Sequence, residues 1–394
     1  MPRAFTRRSF LTGLSAAAAM GALASCTRSA VAVPGLPPQT VWSTYGVGTG
    51  TYNDVAAIAN TLTQQVGMQV RLMTSDTGIG RLAPLINGTA QYSRTGDEYY
   101  YAFEGDDEYA SEVWGPKRLR LVLAPPGNYG ILVRKDSGIE TVADLAGKRY
   151  PRLVASTSMN RKLEGILNYG GLSTADVTMV DVSYSEQIEA LKTGQIDTLY
   201  QNVVGANVSE LASQFPIRWL DLGGNDPSKY ATWEELSPMM IAGSFTDGAG
   251  MEPGQSAVNL QYSLPLVTLA DRPAEEVQML LASMEKHYDK YKDATPDAHK
   301  FHSDEAMLTP LVIPMHEGSV DFLKQAGKWT ADLQKRNQAL LKREQLLAEA
   351  WPGFWKQHSG DPGIAAKWRS WKKENFPKLP AVNDVPTDSA SKEA

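Results

Sequence analysis

At two points in this 394-residue chain a strand candidate gives way to a helix through small and hydroxyl-bearing residues: Gly48-Thr49-Gly50-Thr51-Tyr52 and Ser156-Thr157-Ser158-Met159. Such junctions present unpaired N–H groups and the positive end of a helix dipole, so they attract a carboxylate without any charged side chain. Glycines also serve simply to make a turn, and for the first junction that reading stays open. Two arginines, Arg81 and Arg94, stand next to the same predicted cleft. A guanidinium offers a planar fork that grips a carboxylate through two charge-assisted bonds. Arg94 is the better placed because it interrupts a strand; the alternative for each is a surface arginine. Tyr45, Tyr52, Gln201 and Asn202 would add hydroxyl or amide contacts at strand ends, or act as structural hydrogen-bonders. The expected ligand is a small carboxylate.

Other chemistries find little support. The glycine-rich turn Gly46-Val47-Gly48-Thr49-Gly50-Thr51 lacks the last glycine of a dinucleotide fingerprint. No Walker loop, Gly-x-Ser-x-Gly elbow or His-Glu-x-x-His pair occurs. His299 and His302 are three apart, but their neighbours Asp297, Lys300, Asp304 and Glu305 suggest a solvated segment rather than a metal site. The carboxylates between Asp97 and Glu112 are expected to lie in a solvated loop or helix. A net charge of −6 argues against an electrostatic nucleic-acid binder, and a single cysteine permits no internal disulfide. No cofactor, metal or catalytic group is expected.

The elements that would carry these residues follow an α/β rhythm from Thr40 onward, which predicts largely parallel sheets. Val41–Tyr45 is a strand candidate, and Val55, Ile58, Ala59, Leu62 and Val66 then recur at helical spacing. A strand over Gln69–Met73 and a helix ending at Asn87-Gly88 complete this unit. Further strands are expected at 119–124, 129–133, 152–155, 177–182, 197–201, 239–242 and 264–269, with helices over 161–169 and 185–193. Two such units in tandem fit two lobes: 40–133 with 250–328, and 134–249. Ligands in such folds bind at the carboxyl ends of strands, where the lobes meet. Past Trp329 a polar helix carries Leu333, Leu340, Leu341, Leu347 and Trp351 on one face, with Pro352 expected to break it. Residues 329–380, with Trp355, Trp368 and Trp371, read as a packed helical extension, and 381–394 as a disordered tail.

The first 26 residues read as an export peptide. Thr6-Arg7-Arg8-Ser9-Phe10-Leu11 matches a twin-arginine signal, so Arg7 and Arg8 would be read by a translocase for folded proteins. Leu23-Ala24-Ser25-Cys26 resembles a lipobox, in which Cys26 takes a diacylglyceryl anchor whose two chains hold stably. Residues 27–39, with Pro34, Gly35, Pro37 and Pro38, look like a tether. The expected location is outside the cytoplasmic membrane, as an anchored lipoprotein.

Gly48-Thr49-Gly50-Thr51-Tyr52 resembles the opening motif of the TAXI-type solute-binding subunits of TRAP transporters, the tripartite ATP-independent periplasmic carriers. Asp144–Arg149, Ile166–Leu172, Ser183–Gln187, Leu191–Asp197 and Pro314–Ser319 match further stretches of that family in the same order, over roughly Val41 to Trp329. The resemblance implies a periplasmic-binding-protein-like fold whose two α/β lobes close over an organic acid or acidic amino acid and deliver it to a membrane permease. The chain departs from the family pattern at Thr77–Arg81, at Gln91–Asp97 and at Ala155–Asn160, where hydroxyls stand for glycines. Arg81 and Arg94 both replace uncharged positions. Two other readings use the same features: an exported twin-arginine-dependent enzyme, against which the lack of a cofactor motif counts, and a sensory lipoprotein with the same two lobes.

Overall fold

The computed structural model describes residues 33–154, 156–223, 227–230, 233 and 237–382. The expected export signal with Arg7 and Arg8, the lipobox Cys26, residues 27–32 of the tether and residues 383–394 of the tail lie outside the described residues.

Strand β1 (Gln39–Thr44) leads through the glycine-rich turn into helix α1 (Gly50–Val66). Thr49 caps that helix, its hydroxyl accepting from the Tyr52 N–H at 3.2 Å, and Gly67 closes it in the left-handed conformation at φ 72°. Val55, Ile58, Ala59, Leu62 and Val66 form the buried face the spacing predicts. Strand β2 (Gln69–Thr74), helix α2 (Gly78–Ile86), strand β3 (Tyr92–Arg94), helix α3 (Glu98–Glu104) and strand β4 (Leu119–Leu123) follow.

The long strand β5 (Pro126–Arg134) then crosses to a second sheet. Beyond it come β6 (Arg149–Leu153), α4 (Thr157–Tyr169), β7 (Thr178–Val182), α5 (Gln187–Lys192), β8 (Thr198–Asn202), α6 (Ala206–Gln214) and β9 (Ile217–Trp219). Strands β10 (Ile241–Phe245) and β11 (Ala257–Ser263) complete that half, and β12 (Leu266–Leu269) returns to the first sheet. Helices α7 (Ala274–Lys286), α8 (Glu317–Gln325), α9 (Ala331–His358) and α10 (Ile364–Asn375) end the described chain. None of the described helices is long and apolar enough to cross a membrane.

The result is the expected α/β fold of two lobes with a C-terminal helical extension, but its sheets are mixed rather than largely parallel. The first runs β2-β1-β3-β12-β4, parallel among β1, β2 and β3 and antiparallel where β12 meets β3 and β4. In the second, β10-β11-β5-β8 with β9 beside β5, every pairing is antiparallel; β6 and β7 form a separate parallel pair. The cause is the pair of crossing strands. Strands β5 and β11 run between the lobes in opposite directions and bond to each other, Tyr129 opposite Leu260. Both therefore belong to the second sheet, whereas the expected segments 40–133 and 250–328 counted them with the first.

Two further expectations are corrected in the extension and beneath it. Helix α9 continues through the exposed Pro352 to His358, and the packing of Phe354 on Trp351 before the proline and on Trp368 of α10 offsets the hydrogen bond the proline omits. Its buried residues Leu333, Asn337, Leu340, Glu344 and Leu347 recur every three or four positions, Phe354 follows two turns on, and Trp368 of α10 is fully covered. The acidic segment from Asp97 is buried rather than solvated: Asp97, Glu98, Glu104 and Asp106 are each at most 4 % exposed. Buried carboxylates need partners, and here they have them. Lys162 meets Asp97 at 2.5 Å, Arg81 meets Glu98 at 2.6 Å, Arg343 and Lys372 meet Glu104 at 2.5 and 2.7 Å, and Lys372 also meets Asp106 at 2.9 Å. Arg161 and Arg369 share Asp107.

Candidate functional site

A cavity of about 270 Å³ lies between the two sheets. From the first lobe its wall takes Tyr45 and the turn Val47–Thr51, directly after the carboxyl end of β1. The second lobe supplies Gln201 and Asn202 at the end of β8, Tyr184 and Ser185 before α5, Gly205 and Asn207 at the start of α6, and Met159 in the first turn of α4. Tyr129, Tyr262 and Leu264 come from the crossing strands and the link after them.

The turn before α1 is shaped for backbone presentation. Gly48 adopts φ 90°, a conformation only glycine takes easily, and Thr49 ties the turn through its hydroxyl to the Gly46 carbonyl at 2.8 Å. Helix geometry leaves the amides of Gly50 and Thr51 without an intrahelical carbonyl, at the positive end of the dipole. Tyr45, also on the wall, is 6 % exposed, and its hydroxyl has no hydrogen-bond partner. Burial pushes that phenol well above its ordinary pKa, so it stands as a donor.

The aromatic wall is ordered. Tyr129 stacks on Tyr262 with ring centroids 4.4 Å apart, and Tyr262 shares a hydroxyl hydrogen bond of 2.7 Å with Tyr200. Behind it the Lys162 ammonium lies 4.5 Å from the Tyr262 ring centroid while bonded to Asp97, joining the two lobes. The amides are partly engaged: Gln201 donates to the Tyr184 carbonyl at 3.0 Å, and Asn202 donates to Asp297 at 2.9 Å.

Of the residues singled out from sequence, the structure gathers Tyr45, Gly48, Thr49, Gly50, Thr51, Met159, Gln201 and Asn202 on this wall. It does not bring Tyr52, Arg81, Arg94, Ser156, Thr157 or Ser158 there. Arg81 is occupied: Glu98 takes its Nε and Nη2, the Ser75 carbonyl takes Nη1 at 3.1 Å, and its guanidinium lies 3.8 Å from the Tyr45 ring centroid. It braces Tyr45 from behind. Thr157 instead lines a larger cavity of about 450 Å³ with Arg152, Arg161 and Arg369, but those arginines are already paired with Asp181 and Asp107.

Arg94 is different. It is 4 % exposed, and its Nε and Nη1 have no hydrogen-bond partner. Its guanidinium lies over the Phe301 ring, 4.7 Å from the centroid, and its charge acts on Asp54 and on the cavity residues Tyr129 and Tyr45. Burial draws Arg94 below the ordinary arginine pKa, with Asp54 opposing. Burial likewise raises Asp54 to about 6, against Arg94 and a hydrogen bond from Thr295. Tyr129, Tyr184, Asn207 and Tyr262 escaped sequence reasoning. Tyrosines in apolar strands look like core, and only the pairing of β5 with β11 places two of them at a cavity.

Residues 43–327, well over half of the chain, match the NMT1-like family, and the chain belongs to that family. Among solved structures, the alkanesulfonate-binding protein SsuA from Xanthomonas axonopodis pv. citri, bound to MOPS, is 17% identical, with 84% of this chain and 98% of that one covered and a TM-score of 0.43. The periplasmic aliphatic sulphonate binding protein SsuA from Escherichia coli is 15% identical, covering 91% and 98%, also with a TM-score of 0.43. The ligand binding component of an ABC-type import system from Staphylococcus aureus, with zinc bound, is 11% identical, covering 84% and 98%, with a TM-score of 0.41.

Proposed function

We propose that this member of the NMT1-like family is an extracytoplasmic solute receptor of a TRAP-type secondary transporter, of the TAXI kind. It captures a small organic acid by closing its lobes and hands it to a membrane permease. The observation that carries this reading is the cavity itself. It is walled by both lobes, and the N-terminus of α1 opens onto it. The amides of that helix start have no intrahelical acceptor, and a bound carboxylate would supply one. Arg94, charged and with two free donors behind the same wall, adds a positive field.

The finer parts rest on sequence. The order of the motifs from Gly48 to Ser319 supports the TAXI and TRAP assignment. Arg7, Arg8 and Cys26 support twin-arginine export and a lipid anchor, which predicts that Cys26→Ala moves the protein from the membrane to the soluble fraction. We place the lobe boundaries where the sheets change, near residue 125 and near residue 264, with the extension from 329 on the first lobe.

Ligand binding to the closed, folded form stabilises it by about 2.7 kcal/mol at a hundredfold excess over Kd. Thermal unfolding of protein stripped of bound solute, with and without a panel of small carboxylates, is the test. At least one acid is expected to raise the midpoint by several degrees; a panel without any shift would remove the receptor reading.

A further inference from the structure

Beyond the crossing strands, the side chains that join the two lobes are unevenly placed about β5, which β11 flanks on one side and β8 on the other. On the β11 flank, helix α4 and the chain near it meet α3 and the turn that follows. Lys162 reaches Asp97 at 2.5 Å with its ammonium 4.5 Å from the Tyr262 ring centroid, Arg161 reaches Asp107, and Ser237 shares a hydrogen bond of 3.2 Å with Tyr101. Lys162, Asp97, Tyr101 and Ser237 are each at most 2 % exposed. On the β8 flank, the described residues provide a single side-chain link between the lobes: the Asn202 amide donates to Asp297 at 2.9 Å.

Both partners of that link are held in place by their own lobes. Asn202, on the cavity wall, turns its side-chain oxygen to the Val204 N–H at 2.8 Å, which leaves the amide nitrogen for Asp297. Asp297 stands between α7 and α8 on a segment built onto the first lobe: Ala298 and Phe301 are buried, Thr295 donates to Asp54 of α1, and Lys300 meets the second Asp297 oxygen at 2.7 Å. Parting α3 from α4 would break three links at once and uncover the apolar surface around them. Releasing Asp297 breaks one bond, at the edge of a cavity that is already there. Local opening follows the weaker set.

We infer that Asn202 and Asp297 form the latch of this receptor and the α3–α4 contact its pivot, so that the lobes part on the β8 flank when the amide–carboxylate bond lets go. This rests on the receptor reading above and deepens it. Asp297 acts through Asn202 and is a positioning residue.

The test is hydrogen–deuterium exchange on the full chain stripped of bound solute. Asn202→Asp keeps the acceptor for Val204 but sets two carboxylates against each other, so exchange in segments 46–53 and 202–208 is expected to rise about tenfold or more, the scale of one hydrogen bond to a charged group. Exchange across α3 and α4 is expected to stay as it was. Adding Asp297→Asn exchanges the roles of amide and carboxylate, and is expected to return both segments to near their original rates. Asp297→Asn alone, which drops the charge and keeps an acceptor, is expected to give the first pattern at smaller amplitude, and it carries the test should Asn202→Asp fail to fold.

Unchanged exchange in both single variants overturns the latch. A rise across α3 and α4 equal to that at the cavity, in a variant whose circular dichroism is intact, overturns the pivot. A double variant as open as Asn202→Asp overturns the pairing of these two residues. Because no solute enters the experiment, its failure removes this inference alone, and the receptor reading stands or falls on the thermal-shift panel.

Discussion

Along the acidic segment, Asp97, Glu98, Glu104 and Asp106 are each buried against a cation brought from elsewhere in the chain. In the neighbouring cavity Tyr45 keeps a free hydroxyl, and behind it Arg94 keeps two free donors. Both regions bury polar groups, and the carboxylates of the first all have cationic partners. In the seam, two cations outweigh the upward pull of burial on Glu104 and hold it below the usual carboxylate range, whereas burial still raises its neighbour Asp106 to about 6. Around the cavity, burial outweighs everything else and pushes the tyrosines up. The difference separates ionised groups that hold the fold together through partners from polar groups buried without one.

Breaking the seam is expected to have the largest effect. Lys162 is fully buried, so Lys162→Met strands Asp97 and is expected to cost about 3 to 5 kcal/mol, read from the denaturant midpoint. Lys162→Met combined with Asp97→Leu is expected to recover most of that loss. A single variant costing under about 1 kcal/mol would mean that the seam does not hold the lobes.

Asp54 tests the boundary between the two regimes, since Arg94 and Lys300 only partly offset its burial and the nearby Asp297. Its folded pKa of about 6 lies above the ordinary aspartate value of 3.8. The unfolded chain thus releases this proton first, and between those pH values the folded state holds more protons. Stability from this group is full below pH 3.8, falls as pH rises to about 6, and is constant above. The fall amounts to about 3 kcal/mol, at 1.36 kcal/mol for each pH unit between the two pKa values. Asp54→Asn is expected to remove that slope, measured as stability against pH; a slope unchanged by the substitution would place Asp54 in the paired group.

The smallest effect sharpens the comparison most. Tyr45→Phe deletes a hydroxyl that has no protein partner, so the unliganded fold is expected to change by less than about 0.5 kcal/mol. A loss above about 1 kcal/mol would show that Tyr45 belongs with the seam.

How much was legible in the chain follows the range of the interactions. Local signals carried β1, α1 and the Gly48–Thr51 turn, because caps and periodic burial are decided within a few residues. The leucines of α9 and the packed tryptophans of the extension were legible for the same reason. The seam was not, since Lys372 lies 266 positions from Asp106 and Lys162 lies 65 from Asp97. Spacing alone could not distinguish Arg81, which Glu98 occupies, from Arg94, which keeps free donors. Nor does any local pattern indicate that β5 and β11 pair, and that pairing sets the Tyr129 and Tyr262 wall.

Asp107 is held at φ 52°, a left-handed conformation that a residue with a side chain adopts only at a cost of about 1 to 3 kcal/mol. Its carboxylate is gripped from two sides, by Arg161 of α4 and by Arg369 of α10, the latter at 2.6 Å. One arginine belongs to the second lobe and the other to the extension, so Asp107 is a pin through three parts of the molecule. Any motion that draws α4 away must release Arg161, yet Arg369 stays and keeps the carboxylate neutralised. With two cations on one carboxylate, the loss of either leaves Asp107 paired, and the far end of the chain thereby insures a contact made near its middle.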